Sequence, residues 1–138
     1  MAYAGDVTAQ QAWQELSSES GSALVDVRTP AEWSYVGVPD LASLRKTLVR
    51  VSWQTYPGMA LNRQFAEELA RAGAPKDSAI FFICRSGVRS RAAAEAMTAL
   101  GYRRCYNVAD GFEGPKDSQG HRSRLGGWKA SGLPWTQE

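Results

Sequence analysis

Histidine occurs once and cysteine twice in this 138-residue chain, and that scarcity narrows the chemistry before any motif is considered. The single histidine, His121, sits in the polar stretch Ser118-Gln119-Gly120 and reads as a surface loop residue, so no histidine-based general base is expected. No metal or cofactor site is assigned. A long apolar run is also missing, which argues against a helical membrane span. The first residues, Met1-Ala2-Tyr3-Ala4-Gly5-Asp6, lack the basic region and apolar run of a secretory signal, and the expectation is a cytoplasmic protein. Charge of one sign is scarce too: the formal net charge is only +2, too little to argue for nucleic acid. Repeats and low-complexity segments are absent. A hydrophobic fraction of 43% and a charged fraction of 22% are those of a globular protein, and the length suits one domain, residues 1–138.

What the chain does have is the stretch Phe81-Phe82-Ile83-Cys84-Arg85-Ser86-Gly87-Val88-Arg89-Ser90. Its apolar run is short and rich in β-favouring residues, whereas Ser90 to Met97 consists almost entirely of helix formers. The pattern predicts a strand, a tight loop and a helix start, with Cys84 at the strand's carboxyl end. In an open parallel sheet that edge binds ligands, and a helix amino terminus beside it offers free N–H groups and a positive dipole end. Arg85, Arg89, Arg91, Arg103 and Arg104 gather around this region, and Arg85 and Arg89 lie inside the loop itself. An anion site with a sulfur nucleophile is the reading, open at this point to either phosphate or sulfur chemistry.

Around it, strands and helices alternate. Thr8 with Gln11 and Thr29 with Glu32 form two capping boxes, the second with Pro30 at the first helical position. Ala23 to Val27 reads as a buried strand ending in the charges of Asp26 and Arg28. Leu48 to Trp53 reads as a strand, Asn62 as the cap of a helix that ends at Gly73, and Cys105 to Val108 as a last strand. Such alternation implies right-handed crossovers and a parallel sheet covered on both faces. On that layout Cys84 and Cys105 stand at opposite ends of the sheet, about 13 to 17 Å apart at ~3.3 Å per residue, and no disulfide joins them. Cys105 reads as a small buried hydrophobe.

A thiol becomes a nucleophile as thiolate, which a helix amino terminus and neighbouring cations favour. The Cys84 loop offers both, with Gly87 allowing its N–H groups to converge. Without a nearby base, the chemistry that fits is attack and departure of a preformed thiolate. Sulfur transfer meets that description, and ester hydrolysis meets it less well. The plain alternative is a core cysteine followed by helix-capping serines, which leaves the two arginines flanking the glycine without a purpose.

At this point the chain resembles the single-domain rhodanese-type sulfurtransferases. Cys84 to Ser90 resembles their active loop and Val25-Asp26-Val27-Arg28-Thr29-Pro30-Ala31-Glu32-Trp33 their upstream signature. Gly111-Phe112-Glu113-Gly114 and Gly126 to Pro134 resemble their closing segment. The resemblance implies an α/β rhodanese-like fold with a five-stranded parallel sheet flanked by helices, and a thiosulfate sulfurtransferase activity through a Cys84 persulfide. Four residues separate Cys84 from Arg89, one fewer than in the phosphatase relatives, and the smaller loop suits a sulfane sulfur. Implied partners are a small anionic donor such as thiosulfate and an acceptor that is cyanide, a thiol or a protein thiol. Cys84 would be catalytic, with Arg85, Ser86, Gly87, Val88, Arg89 and Ser90 binding substrate. Asp26 and Arg28 would brace the loop, and Trp33 would stand at the rim of the site. The alternatives are a sulfur-carrier or regulatory rhodanese-like module without its own turnover and, less favoured by the loop length, a cysteine phosphatase or arsenate reductase. The family's usual Gly-His-Ile-Pro-Gly-Ala turn is replaced here by Val36-Gly37-Val38-Pro39-Asp40-Leu41.

Overall fold

The chain's structure is a computed structural model that describes residues 3–55 and 58–137, leaving Met1, Ala2, Tyr56, Pro57 and Glu138 outside the described residues. It opens with β1 (Gly5–Val7), α1 (Ala9–Ser18), β2 (Ala23–Asp26), α2 (Pro30–Val36) and β3 (Val38–Pro39). There follow a single 3₁₀ turn at Ala42–Leu44, then β4 (Val49–Arg50), β5 (Gln54–Thr55), β6 (Ala60–Leu61) and α3 (Phe65–Arg71). The remainder is β7 (Ala79–Ile83), α4 (Val88–Ala99), β8 (Arg104–Val108) and β9 (Trp135–Thr136).

Five strands form one sheet in the order β1-β8-β7-β2-β4, and every neighbouring pair is parallel. This is the expected five-stranded parallel sheet. Its central strand β7 is buried along its whole length, as a strand covered on both faces must be. The pleat sends Ile80 and Phe82 to one face, where they meet Phe65, Leu69, Ala93, Ala94 and Met97 of α3 and α4. Phe81 and Ile83 go to the other, against Leu16 of α1 and the Phe112 and Trp128 side chains of the carboxyl-terminal segment. Both layers therefore close over the strand that delivers Cys84. Among the described residues no helix is long and apolar enough to cross a membrane.

Both capping boxes form, Thr8 with Gln11 and Thr29 with Glu32. The other boundaries shift for physical reasons. The strand expected over Leu48–Trp53 pairs only at Val49 and Arg50: β2 ends at Asp26, whose carbonyl accepts from the Val51 N–H, and the Trp53 N–H goes to the Val27 carbonyl beyond that end. Asn62 is not the cap of α3: its side-chain oxygen accepts from the N–H of Gln64, and the helix starts after Gln64 with no side-chain cap. The closing segment makes turns and then adds β9, antiparallel to β3 at Val38 and Pro39. The departure at Val36–Leu41 is thus covered by the chain's own carboxyl-terminal strand.

Candidate active site

The catalytic candidate is positioned by strand and helix together. β7 ends at Ile83, Cys84 follows, and α4 begins at Val88 with Gly87 as its amino-terminal cap. Gly87 has φ of +102°, and a Cβ there would stand 2.4 Å from the Ala109 carbonyl oxygen, so glycine is required both for the turn and for the approach of the next loop. Cys84 Sγ accepts from the Gly87 N–H at 3.2 Å, the Ser90 N–H at 3.4 Å and the Ser90 hydroxyl at 3.2 Å. A sulfur surrounded by donors is stabilised when it carries negative charge. Cys84 itself is only 1% exposed.

Ser90 is fully buried and has one hydroxyl proton but two acceptors, Cys84 Sγ and Asn107 Oδ1, the latter at 2.7 Å. Asn107 is oriented by Asp6, whose carboxylate can only accept: Asn107 Nδ2 donates to it at 3.0 Å, which leaves Oδ1 facing Ser90. A hydroxyl with one proton can serve only one of these two acceptors at a time, and Asn107 Oδ1 is the nearer. Asn107 was not singled out in the sequence. It lies on β8, seventeen residues from Ser90, and only the sheet register brings it there.

The two loop arginines, both expected at the substrate, occupy different places. Arg89 makes a bidentate pair with Glu32, Nη1 to Oε1 at 2.6 Å and Nη2 to Oε2 at 2.9 Å. Burial pushes the Glu32 carboxyl up, but the hydrogen bonds and charge of Arg89 outweigh it, and the net shift is downward. Arg89 is raised in turn, chiefly by the hydrogen bonds it donates to Glu32, against the opposing effect of burial. Glu32 thus does two jobs, closing the α2 capping box and clamping the active loop to α2. Only the first was visible in the sequence. Arg85, by contrast, has no ion-pair or hydrogen-bond partner for its guanidinium among the described residues, and it lines an open cleft beside the loop.

Asp26 and Arg28 form a fully buried pair, with Arg28 Nη2 2.7 Å from Asp26 Oδ2. Arg28 also donates to the Gly37 carbonyl at 2.8 Å and lies 4.4 Å over the Phe112 ring. Phe112 in turn donates its N–H to the Cys84 carbonyl at 2.8 Å, so the buried pair is linked to the end of β7 through Phe112. Trp33 is half-buried near Arg50, whose guanidinium lies 5.8 Å from its ring centroid. Behind the loop, the Arg85 carbonyl accepts from the N–H groups of Glu113 and Gly114. Gly111, at φ of +67°, would put a Cβ 2.3 Å from that same carbonyl oxygen.

A family model described as the STR4 middle domain matches residues 4–138. The chain belongs to that family. Over 131 residues it is 40% identical to an uncharacterized protein of Rickettsia conorii, covering 94% of this chain and 95% of that protein. It is 32% identical over 132 residues to the chloroplast Protein THYLAKOID RHODANESE-LIKE of Oryza sativa subsp. indica, covering 96% of this chain but 25% of that longer protein. Among solved structures, the crystal structure of Rv0390 from M. tuberculosis matches with a TM-score of 0.91 and 50% identity, over 99% of this chain and 100% of that one. The polysulfide-sulfur transferase homodimer of Wolinella succinogenes matches with a TM-score of 0.63 and 19% identity, over 96% of this chain and 78% of that one, a likeness of fold alone. This STR4-type chain has a rhodanese-like fold and stands among sulfurtransferase-related domains.

Proposed function

We propose that this rhodanese-like domain is a thiosulfate sulfurtransferase that carries a sulfane sulfur on Cys84. The observation that carries the reading is the set of three donors, Gly87 N–H, Ser90 N–H and Ser90 O–H, converging on Cys84 Sγ at 3.2 to 3.4 Å with no histidine involved. Cys84 thiolate attacks the outer sulfur of thiosulfate. The S–S bond of the donor breaks, sulfite leaves with the bonding pair, and the transferred sulfur remains as a persulfide. An acceptor, cyanide or a thiol, then attacks that sulfur, and Cys84 departs as thiolate. The loop N–H groups hold negative sulfur at each stage, and Arg85, whose guanidinium has no partner among the described residues, draws the anionic donor. Arg89 keeps the loop in shape through Glu32. The whole of residues 1–138 acts as one domain, and a reducing, cytoplasmic setting suits two free thiols.

The burial of Cys84 favours a second reading, a sulfur-carrier or regulatory module to which a partner gives access. Turnover of thiosulfate and cyanide to thiocyanate separates the two. The enzyme reading expects wild type to exceed Cys84→Ser by orders of magnitude; equal rates would leave the module.

A further inference from the structure

The Ser90 hydroxyl is the one donor at Cys84 whose direction the backbone does not fix, and a line of hydrogen bonds from the protein surface determines where its proton goes. At the inner end Ser90 Oγ lies 3.2 Å from Cys84 Sγ and 2.7 Å from Asn107 Oδ1. Asn107 Nδ2 donates to Asp6 Oδ1 at 3.0 Å, and the Tyr3 hydroxyl donates to the same oxygen at 2.6 Å. Tyr3 stays a donor, since its phenol is raised from its ordinary value, chiefly by this hydrogen bond to Asp6. Parallel pairing sets Asp6 of β1 beside Asn107 of β8, although 101 residues separate them in the sequence. The line runs from solvent to core. Asp6 is exposed, whereas Ser90 and Asn107 are 0% and 3% exposed, so the inner partners come from within the protein.

Each link fixes the direction of the next. A carboxylate only accepts, so Asp6 holds the Asn107 amide with its nitrogen outward and its oxygen toward Ser90. That oxygen also only accepts. It draws the Ser90 proton, and the Ser90 oxygen then turns its lone pairs to the sulfur, where they suit a thiol S–H and oppose a thiolate. A reversed amide would donate its N–H to the Ser90 oxygen and leave the Ser90 proton no acceptor but the sulfur, which favours the thiolate. The backbone N–H groups of Gly87 and Ser90 point at Sγ in both arrangements. The hydroxyl is the variable, and Asp6 decides it.

We propose that Asp6 is a positioning residue that restrains Cys84, acting through Asn107 to keep the Ser90 proton off the sulfur. The inference deepens the sulfurtransferase reading: the readiness of Cys84 to attack a donor is set in part from the surface of β1. Its sign is opposite to that of an ordinary supporting contact, because loss of the Asp6 carboxylate makes Cys84 more reactive.

The test is alkylation of Cys84 by iodoacetamide in the full chain, at about pH 6 and about 1 M salt, followed peptide by peptide in the mass spectrometer so that Cys105 is read separately. The reagent is uncharged, and the salt screens charge placed at the exposed position 6. Arg89, which interacts with charge on Cys84, and its partner Glu32 are the same in every variant, as are Arg91 and Glu95 of α4 near Tyr3. Asp6→Lys offers Asn107 a donor, reverses the amide and is expected to raise the alkylation rate at least about ten-fold, the scale of one hydrogen bond to a charged group. Asp6→Glu keeps a carboxylate and is expected to behave as wild type. In a Ser90→Ala background the acceleration by Asp6→Lys is expected to vanish, because it works through the hydroxyl. Asn107→Ala asks the same question without touching β1: it removes the competing acceptor and is expected to accelerate alkylation too, and it decides the matter if Asp6→Lys does not fold. A folded Asp6→Lys protein that alkylates no faster than wild type would overturn the proposal, and so would an equal acceleration with and without the Ser90 hydroxyl. Thiosulfate loading of the same proteins, read by intact mass, separates the two readings. Alkylation in the expected order with no sulfur taken up keeps the role of Asp6 and removes the activity, whereas loading with no effect at position 6 keeps the activity and removes the role.

Discussion

Cys84 and Cys105 are the same side chain on or beside adjacent parallel strands, both buried and both free, yet their surroundings differ in kind. Cys105 faces Ile80 across the ladder and packs among Ala94, Met97 and Tyr102, its thiol donating weakly to the Tyr102 carbonyl at 3.9 Å. Burial pushes its thiol up, away from the reactive form. Cys84 stands four residues beyond Ile80, past the end of the ladder, where backbone N–H groups are no longer consumed by strand pairing and can turn onto the sulfur. Burial is common to both. What separates a nucleophile candidate from a packing residue here is the supply of donors at a strand-to-helix junction.

The comparison can be broken in stages. The largest effect is expected from exchanging the cysteines' fates: Cys84→Ala abolishes thiocyanate formation, while Cys105→Ala retains it and loses only stability. Loss of activity in Cys105→Ala at temperatures well below its unfolding would contradict the contrast. Next, Asp26→Asn strips the buried Arg28 of its charge partner, and a destabilisation of about 3–5 kcal/mol is expected in denaturant unfolding. A change under ~1 kcal/mol would show that Arg28 finds another anion.

Smaller but more pointed is Ser90→Ala. It removes the hydroxyl from Cys84 and leaves Asn107 Oδ1 without its donor, so sulfur loading should slow by roughly 10²-fold, as for loss of one donor to a developing anion. Asn107→Asp keeps the shape but places a second carboxylate beside Asp6, and loading should slow by a lesser factor. Unchanged rates in both would detach this network from the sulfur. Finally, the Glu32–Arg89 clamp carries a pH signature. The folded Glu32 carboxyl lies below its ordinary value, so the clamp contributes stability at neutral pH and above the ordinary carboxylate range. That contribution is lost as pH falls through the lowered folded value. Wild type should therefore lose stability on acidification more steeply than Glu32→Gln, read as the difference in unfolding midpoint between the two proteins at pH 7 and at about pH 3.

Legibility followed sequence distance. Features written within a few residues could be read: both capping boxes, the strand-to-helix change at Cys84, the glycine that permits it, and the alternation that implies a parallel sheet. Features made by pairing distant segments could not. Glu32 meets Arg89 across 57 residues, and Asn107 reaches Ser90 only because β8 lies in register with β7. Asp110, which accepts from the Ala9 N–H at the start of α1 and from the Gly127 N–H, looks like one more polar loop residue until the fold is seen. The two-residue strands β3, β5, β6 and β9 carry too few side chains for a period-2 pattern, so their pairings stayed hidden. Arg85 and Arg89 show the same limit inside the loop itself: their presence was legible, but not that one is held by α2 and the other turns to the open cleft beside the loop.

The most direct measurement is peptide-level mass spectrometry of the protein after mixing with thiosulfate. The account predicts one added sulfur, located on Cys84 and removed by cyanide, with Cys105 unmodified. Sulfur on Cys105, or a chain that takes up none while remaining folded, would contradict it.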